Sequence, residues 1–153
     1  VICDYLDNQK FFNYIIEIGG EVRTRSNGRK EWIIGVQHPK KNDIIKKIKL
    51  NNLSMATSGT YNNFFNKNGI EYSHLINPLT GYPIKHKTLS ATVISDKCID
   101  ADALATMLML TDKKKGIEIV NQLDGVECML VLKNNNENIS LIYSDGFKNF
   151  IVD

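Results

Sequence analysis

Apolar residues occur mainly in short alternating or β-branched runs, and these runs predict strands along most of the chain. Strands are expected over residues 14–18 (YIIEI), 44–50 (IIKKIKL) and 89–95 (LSATVIS), because such runs suit a half-buried pleated surface. The runs "VECMLVL" and "ISLIYS" flank an Asn-rich stretch at 134–138 and predict a hairpin. A further hairpin is predicted between "EVRTRS" and "KEWIIGV", because Asn27-Gly28 is a strong two-residue turn signal.

Fewer segments have the pattern of a helix. Helices are expected over residues 99–110 and 113–123, and the first twelve residues have a helical apolar face formed by Ile2, Tyr5 and Leu6. Residues 54–65 are expected to pass from a strand through a Ser-Gly turn into a short helix or turn. Strands outnumber helices, so the predicted fold class is α+β with a largely antiparallel sheet and packed helices.

Composition is typical of a globular domain and excludes several classes. The chain has 153 residues, 42% hydrophobic and 24% charged, enough for one domain with a core. A net charge of only +2 does not favour nucleic acid as a partner. Three widely spaced cysteines, Cys3, Cys98 and Cys128, provide no zinc motif or disulfide framework. One disulfide remains possible, but three buried thiols are favoured.

The chain starts without Met and inside a predicted helix. Because natural proteins rarely start in this way, we expect that sequence upstream of Val1 has been removed. We see no membrane-spanning apolar run, signal peptide or lipid anchor, although with a missing upstream segment the lack of a targeting signal carries little information.

The predicted helix at 101–110 is apolar around its circumference, so it is expected to be buried, yet it contains Asp102 and Thr106. These residues lie one turn apart on one face. A buried carboxylate is costly unless it is paired or binds a cation. Two interpretations remain open: a dipole-stabilised acid with a Thr hydroxyl bonded to its own helix, or two oxygen ligands for a hard cation such as magnesium.

Three other segments contain candidate site residues. Gly19-Gly20-Glu21 follows a strand and either makes a turn or lets the backbone approach a ligand. The segment 57–60 (TSGT) either places amides and hydroxyls around a phosphate or caps a helix. His74 precedes the turn residues of "INPLTGYP". A lone His is more often structural than catalytic.

Six motifs follow one another along the chain: "IEIGGEVRTRSNG", "WIIGVQHP", "MATSGTYNNFF", "GIEYSHLINPLTGYP", "DADALATMLML" and "SDGF". Taken in this order, they resemble the motifs of the FAD:protein FMN transferases, the ApbE family. The resemblance implies the C-terminal portion of a single domain with a T-fold-like sheet. It implies a magnesium-dependent enzyme that moves FMN from FAD to a Thr hydroxyl of a target protein and releases AMP. Hydrolysis of FAD to FMN and AMP, or flavin binding without catalysis, are the alternatives.

The resemblance also implies roles for individual residues. Asp102 and Thr106 correspond to metal ligands, and His74 to a catalytic or FAD-contacting residue. The remaining predicted lining of the FAD site is Glu21, Ser58, Gly59, Leu75, Asn77 and Thr80. The family's upstream Lys-Gly-Tyr-Ala-Val-Asp-like motif, which supplies another metal ligand, is absent from this chain. We therefore expect the 153-residue chain alone to bind FAD weakly and transfer little FMN.

The expected acceptor, by the same resemblance, is a subunit of a membrane redox complex that carries a Thr flavinylation motif. The expected location is the outer side of a bacterial inner membrane, where the protein would be an exported lipoprotein.

Overall fold

The computed structural model describes residues 1–28, 30–60, 75–78, 80–84, 87–134 and 138–152, together with the backbone of 64–67 and 70–73. Three α-helices, eleven strands and a 3-10 helix are assigned in this part of the chain. In chain order they are α1 (Ile2–Asn8), β1 (Tyr14–Ile18), β2 (Glu21–Arg25), β3 (Ile33–Gln37), β4 (Ile44–Lys49), β5 (Ser54–Gly59), β6 (Phe64–Lys67), β7 (Ile70–Ser73), β8 (Thr88–Ser95), α2 (Cys98–Leu110), α3 (Lys113–Val120), β9 (Glu127–Lys133), β10 (Ile139–Tyr143), the 3-10 helix (Phe147–Phe150) and β11 (Ile151–Val152).

The strands form a large antiparallel sheet and two small ones. The six-stranded sheet has the order β1-β2-β5-β8-β9-β10, and each neighbouring pair is antiparallel. A three-stranded sheet has the order β11-β4-β3, and β6 pairs with β7. The predicted α+β class with a mostly antiparallel sheet is therefore confirmed, as is the hairpin of β9 and β10.

The hairpin predicted at Asn27-Gly28 is wrong. β2 instead pairs with β1 through the Gly19-Gly20 turn, and both glycines have positive φ (69° and 104°). Such φ values suit glycine because it has no Cβ. Beyond Gly28, which also has a positive φ of 87°, the chain crosses to the three-stranded sheet, where β3 pairs with β4. The Asn-Gly signal therefore marks a connection between two sheets.

The Ser-Gly turn expected within residues 54–65 is wrong, because β5 continues through Ser58 and Gly59, which pair with Ala91 and Ser90 of β8. Residues 64–65 belong to strand β6, and the short helix or turn expected before it falls on residues 61–63, outside the described residues. Ser58 therefore caps no helix, and the phosphate-binding interpretation of 57–60 stays a prediction. Ser58 is instead presented from a strand in the middle of the large sheet.

Two hydrophobic clusters lie on opposite faces of the six-stranded sheet. The α2 face contains small sheet and helix residues together with larger residues of α2, α3 and β9; its members include Ala56, Ala91, Ala101, Ala105, Leu108, Val120 and Leu130. The opposite face packs against the three-stranded sheet; its members include Val22, Val36, Ile48, Leu50, Met55, Ile94, Met129 and Phe147. Because side chains alternate along a strand, Ala56 and Met55 of β5 enter different clusters.

Helix α2 is buried on one side only, so the prediction of burial around its whole circumference is wrong. Ala101, Ala105, Leu108 and Met109 are buried, whereas Ile99 is 74% exposed. The second predicted helix ends earlier than expected, at Val120, and begins after Asp112, whose carboxylate accepts hydrogen bonds from the backbone N–H groups of Lys114 and Lys115.

Two sequence expectations concern cysteines and membrane segments. Cys3, Cys98 and Cys128 are free thiols, but only Cys128 is fully buried, so burial of all three is wrong. None of the helices assigned in the described ranges has the length and apolar character needed to cross a membrane.

Candidate active site

A hydrogen bond between Ser58 and Thr106 joins the sheet to helix α2 at the centre of the candidate site. Their hydroxyl oxygens lie 3.2 Å apart. The small residues Ala105 on the helix and Ala56 and Ala91 on the sheet share the buried cluster beneath it. Short side chains let a helix approach a sheet closely. The packing of α2 therefore places two hydroxyl groups within contact of each other.

Asp102 lies one helical turn before Thr106, about 6 Å away between Cβ atoms for helical geometry. Its side chain is exposed, so the expectation of a buried carboxylate is wrong. The alternative of a first-turn acid does not fit either, because α2 begins at Cys98 and Asp100 is the acidic residue of its first turn. The Thr106 hydroxyl lies within hydrogen-bond distance of the Ser58 hydroxyl on β5.

Glu21 approaches the same helix from β2. It is the first residue after the Gly19-Gly20 turn. The half-buried Cys98 thiol of α2 has a raised pKa, mainly because of burial and then because of the negative charges of Glu21 and Asp102. Both carboxylates therefore act on the same point at the start of α2. Within the described ranges, neither carboxylate has a hydrogen-bond or ion-pair partner.

The segment after His74 also reaches the α2 face. Leu75 packs against the cluster that contains Ala101 and Ala105, and its carbonyl accepts a hydrogen bond from Ile84 N–H at 3.0 Å. His74 itself lies outside the described residues, so its predicted role stays a prediction. Leu75 therefore lies on the same face of the sheet as Thr106.

Asn77 and Thr80 form the turn that follows. Asn77 N–H donates to the Tyr82 carbonyl at 2.9 Å, and the Asn77 carbonyl accepts from Gly81 N–H at 2.8 Å. The Thr80 hydroxyl oxygen accepts from Tyr82 N–H at 3.4 Å. Gly81 has a φ of +70°, which is favourable for glycine. The two residues therefore form the turn expected from the sequence, and their role as lining of the FAD site stays a prediction.

Gly59 is separated from the other predicted lining residues by the sheet. It follows Ser58 in β5 and pairs with Ser90. Since successive strand residues point to opposite faces, its α-carbon faces away from α2. Ser58, Asp102, Thr106 and Glu21 are thus brought to the α2 face, with Leu75 packed on the same cluster.

The donors on this face suit a hard cation. Asp102 offers a carboxylate and Thr106 a hydroxyl, and Mg²⁺ prefers oxygen ligands while keeping waters or substrate oxygens in its remaining positions. Among the described residues, no group of three or more His, Cys, Asp and Glu side chains is arranged to hold a metal. The pair therefore fits an open site with few protein ligands better than a closed structural site.

Sequence reasoning missed Arg23, which lies two residues beyond Glu21 on the same face of β2. Its guanidinium donates to the Asp96 carbonyl in the turn before α2, and its NH1 lies 3.4 Å from the Ser54 hydroxyl. The sequence signal that could have found it is the two-residue period of a strand, which places Arg23 on the same face as Glu21.

The family model described as "ApbE family" matches residues 1–130, so the chain belongs to the ApbE family. A protein of Vibrio cholerae named FAD:protein FMN transferase is 34% identical over 98% of this chain. A protein of the same name from Buchnera aphidicola is 35% identical over 99% of it. The chain spans 43% and 45% of the lengths of these two relatives.

Solved structures of the family have the same fold. The flavin transferase ApbE from Vibrio cholerae superposes with a TM-score of 0.83 at 32% identity, covering 97% of this chain and 48% of that one. The ApbE protein from Thermotoga maritima superposes with a TM-score of 0.76 at 33% identity, covering 92% and 45%. The fold predicted from the family motifs is therefore confirmed.

Proposed function

We propose that this chain forms part of a magnesium-dependent enzyme that transfers FMN from FAD to a threonine hydroxyl of a target flavoprotein and releases AMP. The observation that carries the proposal is the α2 face itself, where Ser58 contacts Thr106 and the carboxylate of Asp102, which has no partner among the described residues, lies one turn away. Relatives named FAD:protein FMN transferase support the reaction class.

The proposed reaction exchanges one phosphorus–oxygen bond for another. The acceptor threonine oxygen attacks the phosphorus that carries riboflavin, the bond to the bridging pyrophosphate oxygen breaks, and AMP leaves. Catalysis of such a transfer depends mainly on positioning and on stabilising charge on phosphate oxygens. When bound, magnesium supplies that charge stabilisation and orients the pyrophosphate.

Each residue of the chain has a distinct part in this proposal. Asp102 and Thr106 supply oxygen ligands to the metal, and Ser58 holds the Thr106 hydroxyl in place. Glu21, Leu75, Asn77 and Thr80 line or frame the flavin-nucleotide site. His74, in its neutral form, accepts the proton of the incoming threonine hydroxyl.

Replacement of His74 by alanine in the full-length protein separates catalysis from binding. A general base contributes about 10²–10⁴-fold to rate, so His74→Ala should lower FMN transfer by about that factor. FAD affinity should fall much less. Single-turnover transfer and equilibrium FAD binding measure the two quantities, and equal losses in both would give His74 a binding role only.

The reaction itself is tested by incubating the full-length protein with FAD, magnesium and a candidate acceptor subunit. Covalent flavin on the acceptor supports the proposal, provided that it is no longer formed when the acceptor threonine is substituted. Formation of only free FMN and AMP would instead assign an FAD pyrophosphatase. FAD binding without either product would leave a non-catalytic flavin-binding module.

The same proposal covers the acceptor protein, the cellular location of the enzyme and the binding of FAD by this chain alone. The acceptor is a subunit of a membrane redox complex that carries a Thr flavinylation motif, and the enzyme acts as an exported lipoprotein on the outer side of the bacterial inner membrane. The 153-residue chain by itself should bind FAD weakly. Stoichiometric, tight FAD binding by this chain alone would contradict that expectation.

A further inference from the structure

In the described part of the chain, Arg23 is held in place by its NH1 guanidinium nitrogen. NH1 donates to the Asp96 carbonyl and lies 3.4 Å from the Ser54 hydroxyl oxygen. Arginine carries five N–H donors. Among the residues that the structure describes, the donors on its other two nitrogens meet no acceptor. The side chain is therefore oriented by one nitrogen while the rest of its planar group stays available.

The charge of Arg23 has no ion-pair partner in the described residues. Arg23 lies two residues from Glu21 on the same face of β2. Its positive charge also acts on Cys98, where it opposes the pKa increase caused mainly by burial and then by Glu21 and Asp102. A cation on this face reduces the repulsion that the carboxylates exert on an approaching anion.

Arg25 shows what the same side chain does two residues later on the same strand face. Its Nε lies 3.8 Å from an Asp7 carboxylate oxygen of α1, and its carbonyl accepts from the Trp32 indole at 2.9 Å. Arg25 thus has an acidic partner inside the described fold, whereas Arg23 has none. This difference makes Arg25 a matched control for Arg23.

We propose that Arg23 contacts the pyrophosphate of the dinucleotide substrate through its free guanidinium nitrogens. A planar guanidinium matches phosphate oxygens with paired N–H donors. Its charge offsets the repulsion between the pyrophosphate and the carboxylates of Glu21 and Asp102. The inference rests on the proposed use of FAD, and it adds a phosphate-binding residue that comes from β2, opposite the metal-binding face of α2.

The test compares FAD with riboflavin, which has no phosphate, on full-length protein carrying Arg23→Gln or Arg25→Gln. Loss of a charge-assisted contact should weaken FAD binding about tenfold or more for Arg23→Gln. Riboflavin binding should change less than about twofold, because no phosphate contact is lost. Arg25→Gln should leave both affinities near those of the wild type. Thermal unfolding of each variant reports whether the link to Asp96 matters for folding.

Equal weakening of FAD and riboflavin by Arg23→Gln, or no weakening of either, would overturn the inference. A similar loss of FAD affinity in both arginine variants would overturn it as well. If Arg23→Gln does not fold, Arg23→Lys is the alternative variant. Its ammonium group can still donate to the Asp96 carbonyl, but it lacks the planar, paired N–H donors of a guanidinium. It should lose the preference for FAD over riboflavin, and a lysine variant with the full preference would contradict the proposal.

Failure of this inference is distinguishable from failure of the proposed reaction. FMN transfer by the wild type together with unchanged FAD binding by Arg23→Gln would remove the role of Arg23 and keep the reaction. Selective loss of FAD binding in a protein that only hydrolyses FAD would keep the role of Arg23 and remove the transfer.

Discussion

The two faces of the six-stranded sheet are built from the same strands but differ in side-chain size and polarity. On the α2 face, alanines of the sheet and the helix allow close approach, and polar groups of Ser58, Thr106 and Asp102 line the edge of the contact. The opposite face is filled by larger apolar groups such as Ile48 and Phe147, both 0% exposed.

This difference indicates that the two faces have different roles within one domain, one in stability and the other in forming the site. A well-packed apolar layer contributes stability roughly in proportion to the apolar area it buries. On the α2 face, the alanines at the helix–sheet contact bring helix and strand side chains close together. This face is therefore the one on which a site can be assembled, and substitutions on the two faces should have different consequences.

The largest effect on stability is expected on the opposite face. Phe147 is fully buried and its ring stacks on Tyr143 with centroids 5.7 Å apart. Phe147→Ala in the full-length protein should cost about 3–5 kcal/mol of unfolding free energy, because truncation leaves a cavity. Urea unfolding measures this loss, and FAD affinity per folded molecule should be unchanged. A loss below about 1 kcal/mol would contradict the division between the faces.

A smaller effect on stability, combined with an effect on function, is expected on the α2 face. Ala105→Leu adds bulk where α2 approaches the sheet and should cost about 1–3 kcal/mol through overpacking. Since Thr106 is the next residue, the same change should also disturb its contact with Ser58 and lower FMN transfer per folded molecule. A variant that is destabilised but fully active would show that close approach of α2 is not required for the site.

The smallest effect concerns the charges around Cys98. Its raised pKa favours the neutral thiol, which reacts slowly with iodoacetamide because the thiolate is the nucleophile. Asp102→Asn removes one of the negative charges that raise this pKa, so alkylation of Cys98 at pH 8 should speed up about two- to threefold. Asp100→Asn provides the control, since Asp100 is not among the charges acting on Cys98. Peptide mass spectrometry after timed labelling measures both rates, and equal rates in the two variants would contradict the placement of Asp102.

Sequence patterns predicted most elements, because local periodicity determines which segments become strands or helices. The two helices after β8 and the hairpin of β9 and β10 follow from their own residues. Partner choice was harder to predict. Asn27-Gly28 has the composition of a hairpin turn, but β2 pairs with β5, a strand far along the chain, and β3 pairs with the strand that follows it, β4.

The residues of the candidate site could likewise be predicted only in part from the sequence. The spacing of Asp102 and Thr106 placed them on one helix face without any tertiary information. Their actual exposure depended on which side of α2 the sheet covers, and the apolar sequence of the helix gave no indication of that. The contact between Ser58 and Thr106 and the link from Arg23 to the Asp96 carbonyl arise from tertiary packing alone.

The most direct test of the account is a magnesium titration of FMN transfer by full-length wild type, Asp102→Asn and Asp100→Asn. Loss of residues that merely support a metal ligand costs about 10–100-fold in metal affinity or activity. Loss of the Asp102 carboxylate should therefore raise the half-saturating magnesium concentration at least tenfold or abolish transfer. The exposed Asp100, on the first turn of the same helix, should be replaceable without change. Unchanged turnover and magnesium dependence in Asp102→Asn would contradict the assignment of the α2 face as the metal-binding face.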